Sequence, residues 1–239
     1  MIILGIDTST ASTSVGLSAY GETISEITAN YRQTHSEQLV NMVDQVLKSS
    51  SISLSDVDYF ACVKGPGSFT GLRIGAASVK GMAQFEDKPI IGVSLLEVLA
   101  YGAGAFKGII CSLADAQRDQ VYAGFYKWEN EWLKPMEKDM VASVDEAKNL
   151  ARSFGVPVAF TGEGVKKLGD IDDWTEPDAT ILKGPYRIPK AGMLCLAACK
   201  KAEESDDVYT WENFEPDYFR KSQAEIQMEK KRAENNGQI

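Results

Sequence analysis

One order of elements is written twice along this 239-residue chain, and that repetition constrains its fold more than any single motif. Residues 2–6 (IILGI) are a continuous apolar run, and 13–20 (TSVGLSAY) and 23–29 (TISEITA) are rich in strand formers. Gly21-Glu22 links the last two tightly, which predicts a three-stranded meander. Thr34 and Glu37 spell a capping box at the start of a helix over 36–49. Its apolar residues Leu39, Val40, Met42, Val43, Val46 and Leu47 fall within a stripe about 160° wide, broad enough for contact on more than one side. A strand at Val57–Val63, a helix over 72–85, a strand at 89–93 and a helix opened by Ser94 follow. After a break at 102–108 the order returns. Strands are predicted at 109–113, 120–126, 132–135, 156–160 and 180–182, and helices at 144–154, 165–168 and 189–201. The chain thus reads as α/β, with a first lobe at 1–103, a second at 104–215 and a tail at 216–239. The helix at 189–201 is able to pack back on the first lobe. Residues 203–215 read as acidic and turn-like, and 221–239 as a solvated charged end.

Two copies of a β-β-β-α-β-α unit resemble the duplicated ribonuclease H-like lobes of the actin-like ATPase and sugar-kinase superfamily, which face each other across a cleft. That likeness concerns fold and carries no activity by itself. It aligns Asp7, ending the first strand of one copy (GIDTST), with Asp115, ending that of the other (SLADAQ). For nucleotide use, Asp7 with Thr8 and Ser9 would face phosphate and Asp115 would hold a water-bridged magnesium. The plainer alternative makes both aspartates ordinary turn residues. Residues 115–119 (DAQRD) hold no glycine for close approach to phosphate, and Gly162-Glu163-Gly164 is a lone G-x-G of little specificity.

The densest motif is Lys64 to Gly75, KGPGSFTGLRIG, where a buried strand passes through a glycine-rich turn into a helix. It matches neither G-x-x-x-x-G-K-[ST] nor G-x-G-x-x-G. Glycines admit close backbone approach, and a helix start offers free N–H groups to an anion. The simpler alternative has Gly65, Gly67 and Gly71 shaping a tight turn while Ser68 or Thr70 caps the helix. Arg73, a cation in a first helical turn, opposes the helix dipole and calls for an acidic neighbour. The helix after it (RIGAASVKGMAQF) is apolar nearly all round and should be buried, in its own core or against another chain.

A formal charge of −9 argues against autonomous binding to a phosphate backbone. Cys62, Cys111, Cys195 and Cys199 form no C-x-x-C pair and read as reduced core thiols. A single histidine, His35, excludes a two-histidine metal site and leaves a metallopeptidase without ligands. A Ser68-His35-Asp7 triad lacks the G-x-S-x-G elbow. There is no apolar run of about 18 residues and no signal-peptide pattern at the start, so the expectation is a cytoplasmic protein with no membrane contact.

Taken together, ILGIDTST at 3–10, His35-Ser36-Glu37, GPGSFTGLRIG at 65–75, IGVSLLEVLA at 91–100, Asp115 with Arg118 and Val121-Tyr122, and PDYFR at 216–220 resemble the TsaB (YeaZ) family. These chains are subunits in tRNA threonylcarbamoyladenosine biosynthesis. The resemblance covers nearly the whole chain. It implies a non-catalytic protein that pairs with the catalytic paralogue TsaD and the ATPase TsaE. That complex transfers threonylcarbamoyl to the adenosine next to the anticodon of tRNAs reading codons that begin with A. It further implies a homodimer in isolation, tRNA contact only through the complex, no tightly bound cofactor, ATP used through TsaE, and no metal ligands. The helices at 36–49 and 72–85 become the partner surface, with His35, Glu37, Leu39, Val43, Val46, Phe69, Arg73, Ala77 and Gly81 as contacts. Gly65, Gly67, Ser68, Thr70 and Gly71 order its edge. Two positions depart from the family pattern. Gln117 stands where an arginine is usual, with Arg118 one residue on, and Phe219 replaces a leucine. An autonomous ATPase or small-molecule kinase of the same fold is the competing expectation.

Overall fold

The structure is a computed structural model that describes residues 1–30, 35–169 and 178–219, and of 35–37 the main chain only. The Thr34/Glu37 capping box, the side chains of His35 and Glu37, and the tail from Arg220 onward lie outside the described residues.

Strand β1 (Ile2–Asp7) alternates its side chains between two cores, which is why it reads as uniformly apolar. Ile3 faces one core, and Leu4 and Ile6 face the other. It pairs antiparallel with β2 (Thr13–Ala19), which pairs antiparallel with β3 (Glu22–Ala29). On its other side β1 runs parallel to β4 (Tyr59–Gly65), and β4 to β5 (Ile90–Ser94). Helices α1 (His35–Ser50) and α2 (Phe69–Glu86) cover one face of this sheet, packing Leu39, Met42, Val46, Ala76, Val79 and Ala83 onto it. Helix α3 (Leu95–Gly102) follows β5, capped by the Ser94 hydroxyl, which accepts from the Leu96 N–H.

The second sheet repeats the plan. Strand β6 (Ile109–Asp115) pairs antiparallel with β7 (Gln120–Glu129), which pairs with β8 (Trp132–Pro135). Parallel strands β10 (Val158–Thr161) and β11 (Ala179–Ile181) extend it. Strand β9 (Met140–Ser143), absent from the sequence prediction, adds to β7, and helix α4 (Val144–Ser153) packs behind. One predicted helix is corrected: residues 165–167 belong to a 3-10 turn, Glu163–Lys167, with Leu168 as its C-cap, so the second lobe has no counterpart of α2 among its described residues.

The two lobes are joined by exchange of their last helices. Helix α3 lies on β6 and β7 of the second lobe, and α5 (Ala191–Glu204) lies on β1, β2 and β3 of the first. Gly16 makes the second seat possible, since a Cβ there would stand 3.0 Å from Ala191 and from the Gly192 nitrogen. A second joint crosses the boundary directly. Asp139 accepts from Ser94 of the first lobe and, at 2.8 Å, from Tyr126 of the second.

The acidic stretch read as turn-like is tied down. Within it β12 (Val208–Tyr209) pairs antiparallel with β5, and Phe214 is fully buried in the core beneath α1 and α2. All four cysteines are buried and unbridged, and no cluster of three or more metal-binding side chains occurs among the described residues. Nor is any described helix long and apolar enough to cross a membrane.

Candidate functional site

The glycine-rich turn and the Asp7 loop, far apart in sequence, are one packed unit. The Ser68 N–H donates to the Ser9 carbonyl at 2.7 Å, and the Thr8 hydroxyl donates to the Gly71 carbonyl at 2.7 Å. A Cβ on Gly67 would lie 2.6 Å from the Ser9 carbonyl oxygen, and one on Gly71 would overlap the Thr8 carbonyl. A Cβ on Gly65 would likewise overlap the Asp217 carbonyl, so three of the motif's glycines are demanded by backbone contact within the chain. Ser68, not Thr70, caps α2, accepting from the Gly71 N–H at 3.3 Å.

That contact closes over Asp7. Its side chain is 1% exposed, with one carboxylate oxygen accepting from the Ser9 N–H at 2.7 Å. The other oxygen and the Ser9 hydroxyl are buried without a partner. Burial pushes the Asp7 carboxyl above its usual range, against the opposing effect of the neighbouring Ser9. Thr8 and Ser9 are each 2% exposed, so the three residues expected to face a nucleotide are sealed beneath α2.

Asp115 is exposed and engaged. It accepts from the Gln117 N–H at 2.7 Å and pairs with Lys167 at 2.5 Å. Burial works against its charge, but Lys167 and the Gln117 N–H outweigh it and hold the carboxyl below its usual range. Lys167 also donates to the carbonyls of Arg118 and Gln120, locking the β6–β7 turn in which Gln117 and Arg118 both have positive φ. A groove of about 510 Å³ lies beside this turn, lined by Arg118, Lys148 and Lys167, away from the Asp7 loop. Gly162 and Gly164 do not open toward a ligand. Both are buried, and a Cβ at either would collide with Leu113.

The open surface belongs to the two helices over the first sheet. Of the two expectations for α2, burial in its own core holds for only part of its circumference: Arg73, Ala77, Gly81 and Phe85, at intervals of four, form an exposed stripe. A Cβ on Gly81 would meet nothing within 4 Å, and Phe85 is 81% exposed. On α1, Val40 is 73% exposed and Val43 half-buried. Leu39 and Val46, expected as contacts, are corrected: they are buried in the core and present no surface to a partner. Val40 belongs to the surface in their place, and only its position at the stripe's edge distinguished it in the sequence.

The acidic neighbour expected for Arg73 is not found among the described residues. Instead its guanidinium lies 3.9 Å from the centroid of the half-buried Phe69 ring and its Nε donates to the Tyr218 hydroxyl at 3.3 Å. Phe69 in turn stacks on Tyr218 with ring centroids 4.5 Å apart.

Two repeated lobes with strands ordered in this way, joined through their last helices, define the actin-like ATPase and sugar-kinase class of fold. The (R)-2-hydroxyglutaryl-CoA dehydratase component A of Acidaminococcus fermentans shares that fold with a TM-score of 0.53, at 12% identity, over 85% of this chain and 99% of its own. The family model of TsaD, tRNA N6-adenosine threonylcarbamoyltransferase, matches residues 22–228. The tRNA threonylcarbamoyladenosine biosynthesis protein TsaB of Bacillus subtilis is 31% identical over 228 residues, which cover 94% of this chain and 96% of that protein. A Pseudomonas aeruginosa structure, of a protein with similarity to peptidase YEAZ, superposes with a TM-score of 0.78 at 27% identity, covering 92% of this chain and 99% of its own. The chain belongs to the TsaB family, within the wider group that includes the TsaD transferases.

Proposed function

We propose that this chain is the non-catalytic subunit of the assembly that transfers threonylcarbamoyl to the adenosine next to the anticodon of tRNAs reading codons that begin with A. It works by offering the face of α1 and α2 to a TsaD-like catalytic subunit. A TsaE-like ATPase accounts for ATP use, tRNA is reached only through the complex, and in isolation the same face pairs two copies. The chain acts in the cytoplasm and holds no cofactor tightly.

The observation that carries this reading is the stripe on α2. A mid-helix glycine costs roughly 0.5–1 kcal/mol of helix stability relative to alanine. Gly81 carries that cost although a Cβ there would meet nothing within 4 Å among the described residues, and Ala77 and Phe85 flank it on the open face. Small residues beside an exposed aromatic suit close approach of a second helix. The second lobe lacks such a helix among its described residues, so the difference between the lobes falls at this face. The sealed Asp7 loop supports a non-catalytic role, because a phosphate there would have to break the Thr8–Gly71 and Ser9–Ser68 hydrogen bonds.

The test is copurification with TsaD-like and TsaE-like subunits, followed by assay of tRNA modification with and without this chain. Ala77→Glu should abolish binding of the TsaD-like subunit and the modification that depends on it; unchanged binding would overturn the surface assignment. An autonomous ATPase predicts micromolar binding of magnesium-ATP and turnover by the isolated chain, which calorimetry and phosphate release would detect.

A further inference from the structure

A short segment beyond β12 connects the end of the α2 stripe to the second lobe. The Asp217 N–H donates to the Lys64 carbonyl at 2.6 Å, and its carboxylate pairs with Lys64 Nζ at 3.2 Å. The same ammonium pairs with Asp207 at 2.8 Å and donates to the Tyr209 hydroxyl at 2.8 Å. Tyr218 stacks on Phe69 of α2, and Phe219 meets Tyr122 of β7 edge-on at 5.8 Å. One tripeptide therefore touches the strand before the glycine-rich turn, the first turn of α2, and the other lobe.

The product of these contacts is the placement of Arg73. Phe69 covers one face of its guanidinium, and the Tyr218 hydroxyl accepts from its Nε. Stacking occupies the planar face and leaves the in-plane Nη groups to bind an anion. Among the described residues no carboxylate takes them up. The cation also opposes the dipole of its own helix, and among the described residues only the Phe69 and Tyr218 ring contacts and the Tyr218 hydroxyl offset that, with no opposite charge. Arg73 stands four residues before Ala77 and eight before Gly81, on the same exposed stripe.

We propose that Asp217–Phe219, with Phe69 and Arg73, forms an anion-reading corner of the α2 face, in which Arg73 takes a carboxylate of the TsaD-like subunit. Tyr218 is a positioning residue that holds the guanidinium. This rests on the reading of α2 as the partner face, with which the corner is continuous. A protein carboxylate fits better than an RNA phosphate on charge grounds. The chain carries −9 overall, a single ordered cation supplies little of the counterion release that drives RNA binding, and the stripe beside it is apolar.

The experiment measures affinity of the full-length chain for its cognate TsaD-like subunit at low and high salt. Arg73→Ala should weaken binding about tenfold or more and flatten the salt dependence. Arg73→Lys should not restore it, since an ammonium neither stacks nor forks in the same way. Tyr218→Ala should weaken binding several-fold, and the double variant should be no weaker than Arg73→Ala alone. Thermal melts confirm that each variant is folded. If Ala77→Glu abolishes binding while Arg73→Ala stays within twofold of the native chain, the corner is refuted and the face stands. If Ala77→Glu binds normally, the face itself is refuted. Additive losses in the double variant would remove Tyr218 from its positioning role.

Discussion

Individual residues in the glycine-rich motif divide by what lies opposite them. Gly71 abuts the Thr8 carbonyl, so Gly71→Ala must push α2 off the Asp7 loop, and overpacking of this kind costs about 1–3 kcal/mol. A drop in the urea midpoint with an unchanged slope would register it. Asp7 makes a pH prediction with a definite sign. Its folded carboxyl binds a proton more tightly than the unfolded one, whose ordinary value is 3.8. Its contribution to stability is therefore fully present below that value and lost as pH rises through the folded one. Asp7→Asn should flatten the decline in melting temperature with rising pH above about 4, relative to the native chain. Melts across that range check it, and a parallel profile would place the ionisation elsewhere. The sequence exposed Asp7 as noteworthy through its strand-end position. Its burial depends on Ser68 and Gly71, some sixty residues away, and could not be read locally.

At the scale of elements, α2 holds two kinds of glycine in one helix. Gly71 is needed by the fold, whereas Gly81 faces open space. Gly81→Ala should raise the stability of the isolated chain by about 0.5–1 kcal/mol, by removing backbone entropy from the unfolded state. If a partner helix approaches there, the same change should weaken its binding, and the two measurements together separate helix propensity from interface packing. The amphipathic pattern of α1 was legible as a wide stripe. Which residues of that stripe meet the sheet was not: Leu39 and Val46 are buried and Val40 is exposed, because the angle at which a helix sits is set by the sheet beneath it. Likewise β9 and β12 are short strands whose pairing comes from neighbours distant in sequence, and four- and two-residue segments carry too little pattern to announce themselves.

For the whole molecule, the lobes are held by exchanged helices and by Asp139, which bridges Ser94 and Tyr126. Asp139→Ala would leave the buried Tyr126 hydroxyl without its acceptor, at a cost of about 1–3 kcal/mol, and faster amide exchange in α3 and β7 would show the joint loosening. Repetition of one element order was enough to determine the two-lobed plan, because alternating apolar runs and capped helices are local signals that each lobe writes for itself. A single histidine and the strongly negative charge likewise narrowed the chemistry before any fold was known. Tertiary structure alone decided that the glycine-rich turn closes over Asp7, which residues of α1 stay open, and that the segment at 217–219 ties the α2 face to the other lobe. Each of these depends on which distant backbone or ring comes within contact distance, and van der Waals contact between segments a hundred residues apart leaves no period or spacing in the chain that makes it.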